Sequence, residues 1–244
     1  MQRRTFVRTA AATGLAASAG CLTEALSGEE LGETVLGYPD DQVADSSDLD
    51  YPAYGESFPE FSLYDPLTET TVDTAEIDDE CIVCTAFYAY CPAECIPLIN
   101  AIVNVQQRTT ERGLEDDVRF LVITFDPERD TPEELEEHGD RRHVDFEVGN
   151  WHYLRPEDDD EAESIVADAL GIGYEREGAV DEDRSSAADE LGAGSGQEDN
   201  YDFSHITVTF LANPGGYVER AYRGENPDHE RITDDIETVI DEWE

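Results

Sequence analysis

Lysine is missing altogether: the 15 basic residues of this 244-residue chain are all arginine, set against 60 Asp and Glu, for a formal charge of -45. A surface so poor in positive charge excludes nucleic-acid binding as the main activity, because a phosphate backbone is met with a basic footprint. Long hydrophobic runs are missing too. The stretch from Thr9 to Gly20 is shorter than the roughly 20 apolar residues of a membrane span, and no later segment approaches that length. Nor is there an internal repeat. What is present, 39% hydrophobic residues, suffices for the core of one sizeable domain with a tail.

An acidic excess of this size has two readings, a disordered acidic chain or a folded domain adapted to strong salt. The strand-like apolar runs described below favour the second. At about 1 M salt the Debye length falls to about 3 Å, which screens the self-repulsion that dilute buffer leaves in place. Unfolding at low salt is therefore expected, and a circular-dichroism spectrum unchanged between dilute and molar salt would rule it out.

The N-terminus reads as an address. Arg3-Arg4-Thr5-Phe6-Val7-Arg8 is a twin-arginine pattern, followed by small, mildly apolar residues that end in Ser18-Ala19-Gly20-Cys21. This resembles a Tat signal (residues 1–20) with a lipobox, which implies export, lipidation at Cys21, and a domain tethered at the extracytoplasmic face of the membrane. Residues 21–57 are acidic with few periodic apolar positions and read as a flexible linker. The domain then runs over 58–244, and residues 177–200, rich in acids, Gly and Ser, read as a surface insertion.

Within the domain, strand and helix patterns alternate. Phe58 to Tyr64 and a Thr-rich segment to Val72 predict a hairpin. Cys81 to Tyr90 is apolar on both faces, as a buried central strand is. Pro97 to Arg112 carries a helical stripe that stops at Gly113, and Val118 to Phe125 is a second buried strand. Thr131-Pro132-Glu133-Glu134 is a helix start. Trp151 to Leu154 predicts a strand, Asp160 to Leu170 a helix, Ile206 to Leu211 and Tyr217 to Tyr222 a hairpin, and Ile232 to Trp243 a closing helix. The order is that of an α/β, thioredoxin-like fold with a central mixed sheet flanked by helices.

The chemistry-bearing residues are Cys91 and Cys95, in Cys91-Pro92-Ala93-Glu94-Cys95-Ile96-Pro97. A turn between a buried strand and a helix puts both sulfurs near the helix's positive end, which stabilises a thiolate by about 0.3–1 kcal/mol, or about 2 when partly buried. Pro97 is expected at the first helical position. Three intervening residues, against two in a thioredoxin redox motif, suit a metal as well as a disulfide, and spacing alone leaves both open. A second pair, Cys81 and Cys84, lies within the strand. Residues three apart there point to opposite faces, with α-carbons about 10 Å apart, beyond the roughly 7 Å a disulfide tolerates. They read as buried core thiols, with a tertiary disulfide or an auxiliary redox role as the alternative. His138, His143, His152 and His229, in polar surroundings, read as surface residues.

Three motifs in order carry a resemblance: the aromatic-ended strand leading into Cys91 to Cys95, then Thr124-Phe125-Asp126-Pro127-Glu128-Arg129-Asp130-Thr131-Pro132 after the next strand, then His205 in Asp202-Phe203-Ser204-His205-Ile206. Together these are similar to the Sco/SenC family of copper-binding, thioredoxin-fold proteins, from about Phe58 to Glu244. The resemblance implies Cys91, Cys95 and His205 as copper ligands. It also implies a partner, the dinuclear copper site of cytochrome c oxidase subunit II, to which copper is delivered or whose cysteines are reduced. Ile96 departs from the family pattern, which has Pro directly after the second cysteine. Asp126 is open between orienting a ligand or partner and serving as a turn residue before Pro127.

Two soft thiolates and an imidazole suit Cu(I) in a three-coordinate site and can hold Cu(II); zinc with a water is a further occupant. The leading reading is a copper metallochaperone rather than an enzyme. The alternative is an extracytoplasmic thiol-disulfide oxidoreductase in which Cys91 attacks and Cys95 resolves. Retention of His205 in its motif favours the first, since thiol exchange needs no late histidine.

Overall fold

The computed structural model of the chain describes residues 31–178 and 201–243. A hairpin of β1 (Ser62–Asp65) and β2 (Thr70–Asp73) comes first, with buried Leu63 opposite buried Val72. Next alternate β3 (Cys81–Phe87), α1 (Cys95–Arg112), β4 (Val118–Thr124), α2 (Pro132–Arg142) and β5 (Trp151–Leu154). The helix α3 (Asp159–Ala162) runs on into a wider π-type turn over Glu163–Ala169. Strands β6 (Tyr174–Glu177) and β7 (Asp202–His205) pair as an antiparallel ribbon. The hairpin β8 (Val208–Ala212) and β9 (Val218–Arg223) leads into α4 (His229–Glu242).

The main sheet has the order β5-β4-β3-β8-β9, parallel among β3, β4 and β5 and antiparallel from β3 through β8 to β9. This is the mixed sheet flanked by helices that the element order predicts. Position explains composition: β3 lies between β4 and β8, so every one of its residues is buried and its sequence is apolar without alternation. In α1, Leu98, Ile99 and Ile102 are fully buried, each contributing about 1.5–3 kcal/mol of apolar burial. Gly113 ends that helix at φ 75°, a left-handed conformation that suits glycine. Thr131 caps α2 by accepting the Glu134 N–H, with Pro132 in the first turn.

Several expectations need correction. Part of the segment read as linker belongs to the domain: Leu36, Tyr51 and Ala53 are buried, and the carboxylate of buried Glu219 accepts the Val35 and Leu36 N–H groups at 2.8 and 2.9 Å. An irregular segment inserts single side chains without a period, so no stripe advertises it. Helix α1 begins at Cys95, placing Pro97 third in the helix, where an N–H has no intrahelical partner to lose. His138 and His152 are buried, not exposed. Their polar sequence neighbours lie on other faces, while His138 meets the Tyr153 hydroxyl and His152 the Asp65 carboxylate, each at 2.9 Å. Burial, with the charges of Arg142 and Arg141, takes the His138 pKa down to about 3. The signal-like segment, Cys21 and positions 179–200 of the insertion lie outside the described residues.

Candidate metal centre

Strand β3 delivers the first two ligands. Past Phe87 the chain stays buried through Tyr88 and Ala89, then turns, with the Cys91 N–H donating to the Tyr88 carbonyl at 3.2 Å. Cys95 opens α1, and its N–H donates to Cys91 Sγ at 3.3 Å, so Cys91 sits over a helix start as the sequence implies. The third ligand comes from far along the chain. His205 ends β7, and its Nε2 lies 3.6 Å from Cys95 Sγ.

Among the described residues, Cys91, Cys95 and His205 form a group whose ligand atoms all lie within 4.8 Å of one another. Metal–sulfur and metal–nitrogen bonds of about 2.0–2.3 Å at trigonal angles hold donors about 3.5–4 Å apart; Cys95 Sγ and His205 Nε2 already meet that spacing, and the set as a whole needs to close by no more than about 1 Å to share a single ion. His205 Nδ1 faces the Ile206 carbonyl at 3.2 Å. Donation there directs Nε2 towards the sulfurs. The ring rests on Phe125 and Tyr88, with centroids 5.2 and 6.0 Å away.

The charge state is set locally. Hydrogen bonding from the Cys95 thiol is the largest influence on Cys91; with His205 and the Cys95 and Ala93 N–H groups it overcomes burial and brings the pKa down to about 5. Cys95 moves the opposite way, raised by its own burial and then by the Cys91 thiolate. Burial alone would lower the His205 pKa, but the hydrogen bond and charge of Cys91 outweigh it and raise the value. One thiolate, one thiol and an imidazole ready to carry a proton therefore share the site. That set can bind a soft ion or begin thiol exchange.

Cys81 and Cys84 are buried, unbridged and no part of this group, as expected of core thiols. Asp126, open between two readings from sequence, touches no ligand. It is fully buried and accepts from Arg129 Nε at 2.5 Å and the Tyr201 hydroxyl at 2.7 Å. Sequence reasoning missed Tyr88, which donates to Asp202, the first residue of β7, and Arg129, Asp130 and Tyr201. The available signal was a run of charges, Asp126 to Asp130, directly after a wholly apolar strand, since charges in such a place need partners. Burial and then the charge of Asp126 push the Asp130 carboxyl up to about 8.

Comparison with known proteins follows the same lines. An SCO2-like protein of Rickettsia typhi is 27% identical over 138 residues, 55% of each chain, so this chain spans about half the length of that curated relative. The copper-bound structure of Bradyrhizobium japonicum ScoI superposes with a TM-score of 0.56 at 16% identity, covering 75% of this chain and 99% of that one. The structure of BsSco, described as a member of the Sco family of cytochrome c oxidase assembly proteins, gives 0.56 at 18% identity over 80% and 98%. These likenesses establish the thioredoxin-like fold. The SCO1/SenC family model matches residues 55–241, from before β1 to the last turn of α4 and including all three candidate ligands, and the chain belongs to that family.

Proposed function

We propose that this protein is a copper carrier of oxidase assembly: it takes up one copper ion through Cys91, Cys95 and His205 and passes it by ligand exchange to the dinuclear copper site of cytochrome c oxidase subunit II. The carrying observation is the convergence of two sulfurs and one imidazole, from positions over a hundred residues apart, within 4.8 Å. Soft thiolates with one imidazole favour Cu(I) and tolerate Cu(II). His205 is half-buried and its neighbour Ile206 exposed, while both cysteines are buried, so the histidine side of the site lies nearest to solvent and is the side from which an incoming ligand would reach it. Copper here is cargo, and no substrate is turned over.

A second reading rests on the opposed thiols. With Cys91 held near 5 and Cys95 raised, the Cys91 thiolate can attack a partner disulfide, expelling one partner thiolate and forming a mixed disulfide. Cys95, on losing its proton, then attacks Cys91 Sγ, releasing the second partner thiolate. The partner gains two electrons and this chain closes Cys91–Cys95. Reduction of a partner's cysteines before metallation needs the same two sulfurs, so both activities fit one protein.

The test is copper stoichiometry of the reduced protein in molar salt, for the parent and His205→Ala. One tightly held copper, weakened at least about tenfold in the variant, is the expected result. No copper, with disulfide reduction surviving the substitution, would make the protein an oxidoreductase. The site is proposed to work outside the membrane, held there by lipid on Cys21; a Cys21→Ala variant that fractionates with membranes as firmly as the parent would refute the anchor.

A further inference from the structure

The ligand that arrives from far along the chain poses a positioning problem. Among the described residues, strand β7 pairs only with β6, in a two-stranded ribbon separate from the five-stranded sheet that carries the cysteine turn. His205 itself therefore lies in no ladder of the main sheet, which resumes three residues on, where β8 begins beside β3; the last stretch to the two sulfurs is left to other contacts. The loop between β4 and α2 touches both sides.

Towards the cysteines, Asp130 Oδ2 accepts the Ala89 N–H at 2.9 Å, two residues before Cys91, and the Thr124 hydroxyl at 2.5 Å. The Phe125 N–H extends this seam to the Phe87 carbonyl at 3.0 Å. Towards the histidine, Arg129 Nη1 donates to the Tyr201 carbonyl at 2.8 Å, and the guanidinium lies 3.6 Å from the Tyr201 ring centroid. Arg129 Nε and the Tyr201 hydroxyl both reach the Asp126 carboxylate. Tyr201 immediately precedes β7.

The loop itself is held. Its Asp130 N–H donates to the Asp126 carbonyl at 2.9 Å, and Arg155, just past β5, donates to the Asp130 and Pro127 carbonyls at 3.0 and 2.6 Å. An element braced on β5, bonded to the cysteine turn at one end and to the β7 approach at the other, is a spacer.

We propose that the loop from Asp126 to Asp130 is a bracket that sets the sulfur-to-imidazole distance, with Arg129 and Asp130 as positioning residues, Arg129 for His205 and Asp130 for the cysteine turn. Its use in holding copper rests on the carrier reading above; its geometry does not. A planar five-donor guanidinium can reach a carboxylate, a carbonyl and a ring face together, which a lysine ammonium cannot.

Arg129→Lys, in the reduced full-length protein in molar salt, tests this in two arms. In the metal-free arm, NMR follows the His205 ring protons, which lie in the ring-current fields of Phe125 and Tyr88. They are expected to shift and broaden in the variant while the amide resonances of β3 and α1 stay in place, with Tyr201→Phe giving a smaller change of the same kind. Unmoved His205 resonances overturn the bracket, and so does general movement of β3 and α1, which marks a merely structural role.

In the copper arm, Cu(II) is added and thiolate-to-copper absorption is read beside nitrogen hyperfine coupling. The expected result is retained thiolate absorption, weakened or heterogeneous nitrogen coupling, and release of copper about 10-fold or more faster. Arg129→Lys should add nothing further to His205→Ala, because both act through one ligand; full additivity overturns the proposal. If neither parent nor variant binds copper, the carrier reading fails, and the metal-free arm still decides the bracket.

Discussion

Two pairs of cysteines lie within fifteen residues of each other, in one continuous core, and only one of the four sulfurs, that of Cys91, escapes what burial does to a thiol. Cys81, Cys84, Cys91 and Cys95 are each at most 1% exposed, so burial does not separate them. Surroundings do. On β3, burial pushes Cys81 up to about 12, helped by the charges of Glu219, Asp117 and Glu80, and pushes Cys84 higher still by burial alone. Past the end of the strand, Cys91 meets the Cys95 thiol, His205 and two backbone N–H groups, and comes down to about 5. Reactivity is therefore decided by where the strand ends, because only there do a second thiol, an imidazole and, after them, backbone N–H groups free of the ladder converge on one sulfur.

The largest expected effect is on thiol chemistry. At pH 6 a pKa of about 5 against about 12 separates the thiolate fractions by about six decades, of which lower intrinsic nucleophilicity returns about three. Iodoacetamide should therefore modify Cys91 about a thousandfold faster than Cys81 or Cys84, with a rate that rises through a midpoint near 5. His205→Ala should move that midpoint up by about 1, since it removes a hydrogen bond to the thiolate. Mass spectrometry of the labelled peptides checks this. Equal labelling of Cys84 in the folded protein would break the comparison at its root.

A smaller effect sharpens the same comparison with a carboxyl. Asp130 has two donors on one oxygen, yet burial and the neighbouring charge of Asp126 still raise it to about 8, because its other oxygen has no partner among the described residues. The folded pKa is thus above the unfolded value near 3.8. Below about pH 4 both states hold the proton and nothing is lost. Between about 4 and 8 the unfolded chain releases it first, so stability falls by about 1.4 kcal/mol per pH unit from this group, then levels off above 8. Asp130→Asn keeps an acceptor and cannot ionise. The stability difference between parent and variant, from denaturant titrations at several pH values in molar salt, should drift in the variant's favour from pH 4 to 8. A constant difference would show that Asp130 is ionised in the folded state.

What was legible in the sequence follows the same local logic. Strands β3 and β4, helix α1 with its Gly113 stop, and the Thr131-Pro132 start of α2 each announce themselves within about ten residues, because period, cap and stop are properties of neighbours. The cysteine turn was legible for that reason. His205 was identified through its motif, but its meeting with Cys95 is a tertiary fact that no spacing displays. The β6–β7 ribbon was missed since its strands are short, polar and separated by the 179–200 stretch. The buried segment near Leu36 and Tyr51 and the buried His138 and His152 were missed because isolated inward side chains leave no periodic trace. Arg129 and Tyr201 act across the fold, and only their charge and aromaticity beside apolar strands hinted at it.

The smallest effect concerns the strand thiols themselves. If Cys81 and Cys84 fill space and do nothing else, Cys84→Ala should cost about 1 kcal/mol, the loss of one buried sulfur with partial relaxation of its pocket. It should leave copper stoichiometry and Cys91 labelling unchanged. Cys84→Ser should cost more, about 1–3 kcal/mol, unless its hydroxyl finds an acceptor, since a desolvated hydroxyl without a partner carries its full penalty. The neighbouring residue shows what such a hydroxyl requires: Thr85 is 1% exposed and donates to the Val208 carbonyl of β8 at 2.9 Å. Chemical denaturation in molar salt measures both variants. A serine no worse than alanine would mean that the β3 environment supplies an acceptor at position 84 as well. Backbone groups would then reach side chains in mid-strand, and the contrast between the two cysteine pairs would rest on the histidine and the helix start alone.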